Sequence, residues 1–306
     1  MKVYHSIDHF PSNVKTAITI GTFDGLHQGH FFVLSKLLNI SKSKSLESVL
    51  LTFHPHPRNV LFSDAQELKL LNTINEKKNR LEKLGLQHLI IHQFTKEFSR
   101  KKAMNFIRDT LIGKLNMHSM VIGYDHQFGR NREGSFEELK DLSNLYSFDL
   151  NRIDAKKDGA ITVSSTKIRR ALEEGDVIKA NSLLNYEYMF LATVVHGDKL
   201  GRKIGFPTAN LQLDECKLIP KKGVYLVKLK IDDKNYSGML NISKHKEKIE
   251  VNIFEFSDDI YGKEIEVYFI DYLRDLKVFE TSKFLQAQLQ KDEILARKLL
   301  NKKTSL

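Results

Sequence analysis

A chain of 306 residues that is 41% hydrophobic and 28% charged is too apolar to be disordered and long enough for two domains, each with its own core. Its one cysteine, Cys216, excludes an internal disulfide framework and a thiolate metal cage, and no stretch reaches the roughly 18 uninterrupted apolar residues of a membrane span. A net charge of +10 calls for anionic partners, either nucleic acid or phosphorylated small molecules.

The N-terminal MKVYHSIDHFPSNVK lacks the apolar core of a signal peptide, and Cys216 reads as a small apolar side chain, so a soluble cytoplasmic protein is expected. From residue 16 to about 153, TAITIG, SVLLTF, HLIIHQF, HSMVIG and SFDLNRI read as strands, while 31–41, 75–84, 99–114 and 135–145 have helical spacing. This alternation predicts an α/β domain with a doubly wound parallel sheet, and the nearly continuous apolar strands suit a sheet covered on both faces. SKSKSLES at 41–48 is a polar loop or a fraying helix end. VSSTKIRRALEEGDVIKANSLLN, 163–185, reads as a helix with Ser164 or Ser165 as N-cap.

From Met189 the texture changes. MFLATVVHG, GVYLVKLKI, NYSGMLNI, IEVNIFEF and EIEVYFIDYL alternate with Gly, Asp and Lys turns, which predicts an antiparallel barrel or sandwich. The tail TSKFLQAQLQKDEILARKLLNKK places Leu285, Leu289, Ala296 and Leu299 near one face and predicts a closing amphipathic helix. The domain boundary falls near Tyr186, giving 1–185 and 186–306. The basic residues come as scattered doublets, Lys77–Lys78, Lys101–Lys102, Arg169–Arg170, Lys221–Lys222 and Lys302–Lys303. They read as solvated surface, not as a nucleic-acid face.

TIGTFDGLHQGHFF, 19–32, packs three glycines and two histidines where the first strand gives way to a helix. Ligands of open α/β sheets bind at that crevice, where glycines let amides approach a phosphate and a helix N-terminus favours its charge. His27 and His30, three apart, project to one side if they lie on the first helical turn. An isolated turn of this kind reads equally as a tight loop whose histidines satisfy backbone groups. It is neither a G-x-x-x-x-G-K-[ST] loop nor a G-x-G-x-x-G fingerprint. SSTKIR, Ser164 to Arg169, offers hydroxyls, a helix N-terminus and a cation to the outer phosphates, although taken alone it is a capped helix start. TFHPHP, 52–57, and GYDHQFGRNREG, 123–134, also follow strands and so lie beside the first motif.

H-x-G-H after a first strand resembles the nucleotidylyltransferase superfamily, which joins a nucleoside triphosphate to an acceptor at the α-phosphorus and expels pyrophosphate. The four segments in this order resemble the FAD synthetase module of the bacterial bifunctional riboflavin kinase/FAD synthetase family over residues 16–185, departing at His54 and His126. The resemblance implies that His27 and His30 act on ATP phosphates within a loop of Gly21, Thr22, Phe23, Asp24 and Gly29. It further implies that Ser164, Ser165, Thr166 and Arg169 complete the nucleotide site, and that Pro55, His56, Pro57 and Asp125 help hold flavin and nucleotide.

HGDKLGRKIGFPTANL, 196–211, sets Gly197, Gly201 and Gly205 four residues apart between two strands, with Lys199, Arg202 and Lys203 among them. Such a loop can wrap a polyphosphate, or be a long basic hairpin loop. Thr208 and Asn210 supply hard oxygens of the kind Mg²⁺ accepts, on one face of an extended segment. GFPTAN, GVY at 223–225 and DDIYGKEIEVYF at 258–269 resemble the flavokinase module of the same family, from Met189 to about Lys298, with a compact six-stranded antiparallel barrel as the implied fold. A kinase must deprotonate a primary hydroxyl, and the resemblance puts the carboxylate twelve residues before the glycine of YG, at Glu250, with Pro207 in the phosphate loop. The loop after Asn241 is shorter than the family's, and Leu276 and Val278 replace a usual acid and lysine.

The expected function is therefore phosphorylation of riboflavin to FMN and adenylyl transfer to FMN, with ATP as co-substrate, Mg²⁺ as cofactor, and riboflavin, FMN and FAD as substrates and products. The expected form is a monomer or weak homo-oligomer with no nucleic-acid or membrane partner. The alternatives are an adenylyltransferase whose barrel only binds flavin and, from another class, a nucleic-acid-binding module.

Overall fold

The most apolar runs of the first half become strands because they are covered on both faces. Thr16–Ile20 is buried at all five positions. The structure, a computed structural model, describes residues 1–62, 67–123, 136–153, 163–197, 201, 204–243 and 248–304. By packing, the chain divides into two units, Met1–Ser164 and Ser165–Leu306.

The first unit contains strands β1 (Lys2–Tyr4), β2 (Thr16–Ile20), β3 (Glu47–His54), β4 (His88–Gln93), β5 (Met117–Ile122) and β6 (Asp149–Arg152). They form one sheet in the order β1-β4-β3-β2-β5-β6, parallel at every pairing. Side chains alternate between two cores: Ile18, Ile20, Val49, Leu51 and Met120 enter one, and Ala17, Leu50, Leu89 and Val121 the other. The sheet thus has a helix layer on each face, the doubly wound arrangement expected. Chain order reverses at β2, so the carboxyl ends of β2 and β5 form the crevice where such sheets place ligands. β1 was not foreseen. It is held through Tyr4, whose hydroxyl lies 3.3 Å from Nδ1 of buried His88, while His88 Nε2 meets the Glu47 carboxylate.

The helices of this unit are α1 (Gln28–Ser43), α2 (Pro57–Leu61), α3 (Ile74–Lys83), α4 (Lys96–Ser99), α5 (Ala103–Asn105) and α6 (Phe136–Tyr146). The helix expected over 99–114 is instead α4, α5 and a π-helical turn, Phe106–Ile112, which buries Phe106, Ile107, Thr110 and Leu111.

In the second unit, the single helix expected over 163–185 is two, α7 (Ser165–Glu174) and α8 (Val177–Leu184). Gly175 ends the first with φ of 86°, a conformation that favours glycine, and Asp176 opens the second by accepting the Lys179 amide at 2.9 Å. The barrel follows: β7 (Met189–Val195), β8 (Ala209–Gln212), β9 (Gly223–Ile231), β10 (Lys234–Ile242), β11 (Ile249–Ile253) and β12 (Glu264–Arg274). It closes in the order β10-β11-β8-β7-β12-β9 with antiparallel pairing throughout. On β11, Ile249, Val251 and Ile253 are buried while Glu250 and Asn252 are half-buried on the other face.

The C-terminal helix, Ser282–Thr304, lays Leu289, Ala296, Leu299 and Leu300 against Phe206, Leu226, Met239 and Phe254. Leu285, expected on the same face, is half-buried outside this cluster. Asp292 accepts from Arg274 Nη2 at 2.6 Å and from Gln288 Nε2 at 2.8 Å, with side-chain exposures of 14% for Arg274 and 4% for Asp292. Asp292→Ala would strand a buried guanidinium and is expected to cost about 3–5 kcal/mol of stability in urea unfolding. Arg274→Met with Asp292→Leu recovers most of that loss, because neither charge is then left unpaired.

Candidate active sites

The first site grows from the end of β2. Beyond Gly21 the backbone enters the left-handed region at Phe23, Gly25 and Leu26, with φ of 45°, 90° and 39°, and so curls back before α1 begins. Two tethers hold the curl. Asp24, 3% exposed, accepts the amides of Leu71 at 2.9 Å and Asn72 at 3.3 Å. The Thr22 carbonyl accepts from Lys77 Nζ at 2.7 Å and from Thr52 Oγ1 at 3.2 Å. Lys77 is 4% exposed, which corrects its assignment to solvated surface. A T-x-x-E capping box, Thr73 with Glu76, starts α3 and fixes which of its faces turns inward.

His27 is the N-cap of α1, its Nδ1 accepting the His30 amide at 3.4 Å. The two rings stack, with centroids 3.7 Å apart and planes 15° apart, and Phe23 lies 4.8 Å from His30. A Cβ at Gly21 would lie 3.0 Å from the Phe23 ring, and one at Gly29 3.3 Å from the His27 ring, so these glycines let the rings close. His30 Nδ1 is buried without a hydrogen-bond partner. Burial first, then the His27 ring and the Lys77 charge, hold the His30 pKa well below the usual histidine value. A ring that stays neutral when folded but protonates when unfolded has a simple consequence. Its contribution is present above the unfolded value of about 6.5 and is lost as pH falls below it. Urea unfolding at pH 7.5 and pH 5.5 is expected to show this loss, and to show less of it in His30→Gln.

Of the other predicted positions, His56 caps α2 by accepting the Arg58 amide at 3.2 Å, with Pro57 at the first helical position and Pro55 following a cis bond from His54. Ser164 closes the first unit, whereas Ser165, Thr166 and Arg169 open α7 in the second. Asp125 lies outside the described residues, as do Lys199, Arg202 and Lys203.

The second site is built where β7 gives way to β8. The Gly201 carbonyl accepts the amides of Phe206 at 2.9 Å and Ile204 at 3.2 Å, which folds the loop into a tight turn, and Gly205 follows with φ of 78°. The turn is seated on the C-terminal helix, where Gln286 Nε2 donates to the Ile204 carbonyl at 3.1 Å. A Cβ at Gly197 would come within 1.8 Å of Asn210 Nδ2, and one at Gly201 within 2.1 Å of the Phe206 carbonyl and 3.4 Å of Thr208 Oγ1. The glycines are thus pressed against the two residues proposed to carry hard oxygens. Asn210 pairs directly with Glu250 across β8 and β11, so the two side chains rise from the same face. The Glu250 side chain is 22% exposed, with Lys248 Nζ 3.6 Å from Oε1. Asn252, which sequence reasoning missed, donates to the Pro207 carbonyl at 2.7 Å and anchors the strand leading into Thr208. Among the described residues, no group of three or more His, Cys, Asp or Glu could hold a metal ion.

Two family models match successive parts of the chain: FAD synthetase over residues 9–167 and riboflavin kinase over residues 184–300. The chain belongs to the bifunctional riboflavin kinase/FMN adenylyltransferase family. It is 36% identical over 289 residues to the bifunctional riboflavin kinase/FMN adenylyltransferase of Listeria monocytogenes, covering 92% of this chain and 91% of that one. The Escherichia coli K12 enzyme of the same name is 33% identical over 300 residues, covering 96% and 95%. Among solved structures, one described as a macrolide-efflux protein from Streptococcus pneumoniae has a TM-score of 0.86 at 29% identity, covering 97% of this chain and 98% of that one. Among the described residues, no helix is long and apolar enough to cross a membrane.

Membership of this family fixes an expectation for the glycine loop. Gly197→Ala drives a methyl into Asn210, and riboflavin phosphorylation is expected to fall by about tenfold or more while FAD formation from FMN holds, in a product assay on one sample.

Proposed function

We propose that this chain phosphorylates riboflavin with ATP at the barrel and transfers AMP from a second ATP to FMN at the parallel sheet, with 1–185 and 186–306 as the functional domains. The observation that carries this proposal is the single patch formed by Gly197, Gly201, Thr208, Asn210 and Glu250, where a glycine turn, hard oxygens and a carboxylate lie side by side. At the barrel, Glu250 takes the proton of the riboflavin primary hydroxyl as its oxygen attacks the γ-phosphorus, and ADP leaves. Gly197, Gly201, Gly205 and Pro207 shape the loop that holds the phosphates. The small oxygens of Thr208 and Asn210, packed on glycines, fit a magnesium ion that keeps waters and phosphate oxygens as its remaining ligands. Bound there, Mg²⁺ would neutralise charge on the transferring phosphate.

At the sheet, a phosphate oxygen of FMN attacks the α-phosphorus of ATP and pyrophosphate leaves. No covalent enzyme intermediate is needed, so catalysis rests on holding the phosphates and stabilising the charge that develops. His27 and His30 are the donors assigned to that charge, with the loop of Gly21, Thr22, Phe23, Asp24 and Gly29 around them. Ser164, Ser165, Thr166 and Arg169 are assigned to the outer phosphates. Pro55, His56, Pro57 and Asp125 are assigned to flavin and nucleotide contacts. The protein is proposed to work in the cytoplasm as a monomer or weak homo-oligomer on small-molecule substrates.

The short connection from Ile242 to Ile249 favours one alternative, an adenylyltransferase whose barrel only holds flavin. Purified protein given riboflavin, ATP and Mg²⁺ is expected to yield FMN and FAD. FAD from added FMN but none from riboflavin would establish the alternative.

A further inference from the structure

We propose that Lys77 is a positioning residue of the adenylyl-transfer site: its ammonium, buried under the Gly21–Leu26 loop on the Thr22 carbonyl, holds the loop's curl and supplies a fixed positive charge behind the histidine pair. The inference rests on the assignment of that loop to ATP phosphates.

A fully buried lysine is rare, because removing an ammonium from water is costly. The Thr22 carbonyl does not need it as a donor, since Thr52 Oγ1 already reaches the same oxygen at 3.2 Å. The ammonium also brings charge to a site assigned to a polyanion, in a place shielded from water where a charge acts strongly.

The geometry makes the clamp reciprocal. The loop sends a carboxylate, Asp24, to the amides of Leu71 and Asn72 just ahead of α3, and α3 returns an ammonium, Lys77, to the loop. Between these tethers, Phe23 and Leu26 sit in the left-handed region at φ of 45° and 39°, a conformation costing about 1–2 kcal/mol per non-glycine residue. Such a curl does not persist unaided. It is also what sets Phe23 against His30. The groups facing His30 are His27 on its own helix and Lys77 on α3, and both act to keep its ring uncharged. His30 is therefore a neutral donor, and the permanent positive charge belongs to Lys77.

The test compares Lys77→Gln, which keeps a donor for Thr22 and removes the charge, with Lys77→Arg, which keeps both. Each is assayed for KM and kcat in FAD formation from FMN, with riboflavin phosphorylation in the same sample as the control for enzyme concentration and thermal unfolding followed by circular dichroism as the control for folding of the first unit. Lys77→Gln is expected to raise the KM for ATP by about tenfold, the worth of one charge-assisted contact, and Lys77→Arg to restore it to within about threefold. Binding of inorganic pyrophosphate, read by calorimetry against His30→Ala as the blank, is expected to weaken in parallel. Equal KM and equal pyrophosphate affinity in Lys77→Gln and wild type would overturn the proposal. So would an unfolded first unit in Lys77→Gln, which would make the residue a determinant of the fold alone. If wild type makes no FAD from FMN and ATP, the assignment of the loop fails. Pyrophosphate binding then judges Lys77 by itself, since it needs no turnover.

Discussion

Glu250→Gln is expected to abolish FMN formation from riboflavin while FAD formation from added FMN continues at the wild-type rate. Glutamine keeps the size and the cross-strand seat beside Asn210, so the barrel stays folded and only the proton acceptor is lost. Removing a general base typically costs about 10²–10⁴ in rate, well above any effect of altered packing at a half-buried position. The surrounding patch sharpens the expectation. Thr208 and Asn210, the proposed magnesium ligands, remain in place, so ATP affinity should change by less than about threefold and the loss should fall on kcat. Retention of more than a tenth of the wild-type FMN rate would show that another group takes the proton.

His30→Ala is expected to do the reverse, lowering FAD formation by about 10²–10³, the usual cost of deleting one donor aimed at developing charge, while phosphorylation of riboflavin is untouched. The ring stacks on His27 and abuts Phe23, so its removal also frees two neighbours. His30→Gln separates the two effects: it restores a donor without the stacking, and activity between the alanine variant and wild type is expected. The pair of results, taken with Glu250→Gln, measures whether two chemistries share one machinery. Loss of both activities in either variant would mean that they do.

Much of the fold is legible in the amino-acid sequence. β2 to β5 stand out as apolar runs because a parallel sheet covered on both faces leaves no polar side to blur them, whereas the edge strand β6 is polar and half-exposed. The glycines of the second loop read as a phosphate cradle or a basic hairpin loop, and the structure adds why two of them are glycines: Asn210 and the Phe206 carbonyl occupy the space a side chain would need at Gly197 and Gly201. What escaped was set by contacts distant in sequence. β1 is three residues long and exists through pairing with β4, some 85 positions later, which no local pattern encodes. Lys77 read as one of a surface doublet, because charge alone does not reveal which face of a helix turns inward. The signal was present nearby, in Thr73 and Glu76 as helix cap and in Leu81 four residues on, buried with Lys77. The break at Gly175 was local and legible, since Gly followed by Asp is a helix stop followed by a helix start. The strong apolar spacing on either side hid it.

The closed order of the six barrel strands has a consequence for how such a protein can change over time. A cylinder without free rims has no unsatisfied ladder to protect, and its inward row on β11, Ile249, Val251 and Ile253, bears the task of cohesion. The outward row, Glu250 and Asn252, carries less of that task, with Asn252 tied to the Pro207 carbonyl and Glu250 set against Asn210. Mutation can therefore change the chemistry displayed on the outside while the inward row, and with it the cylinder, is left as it was.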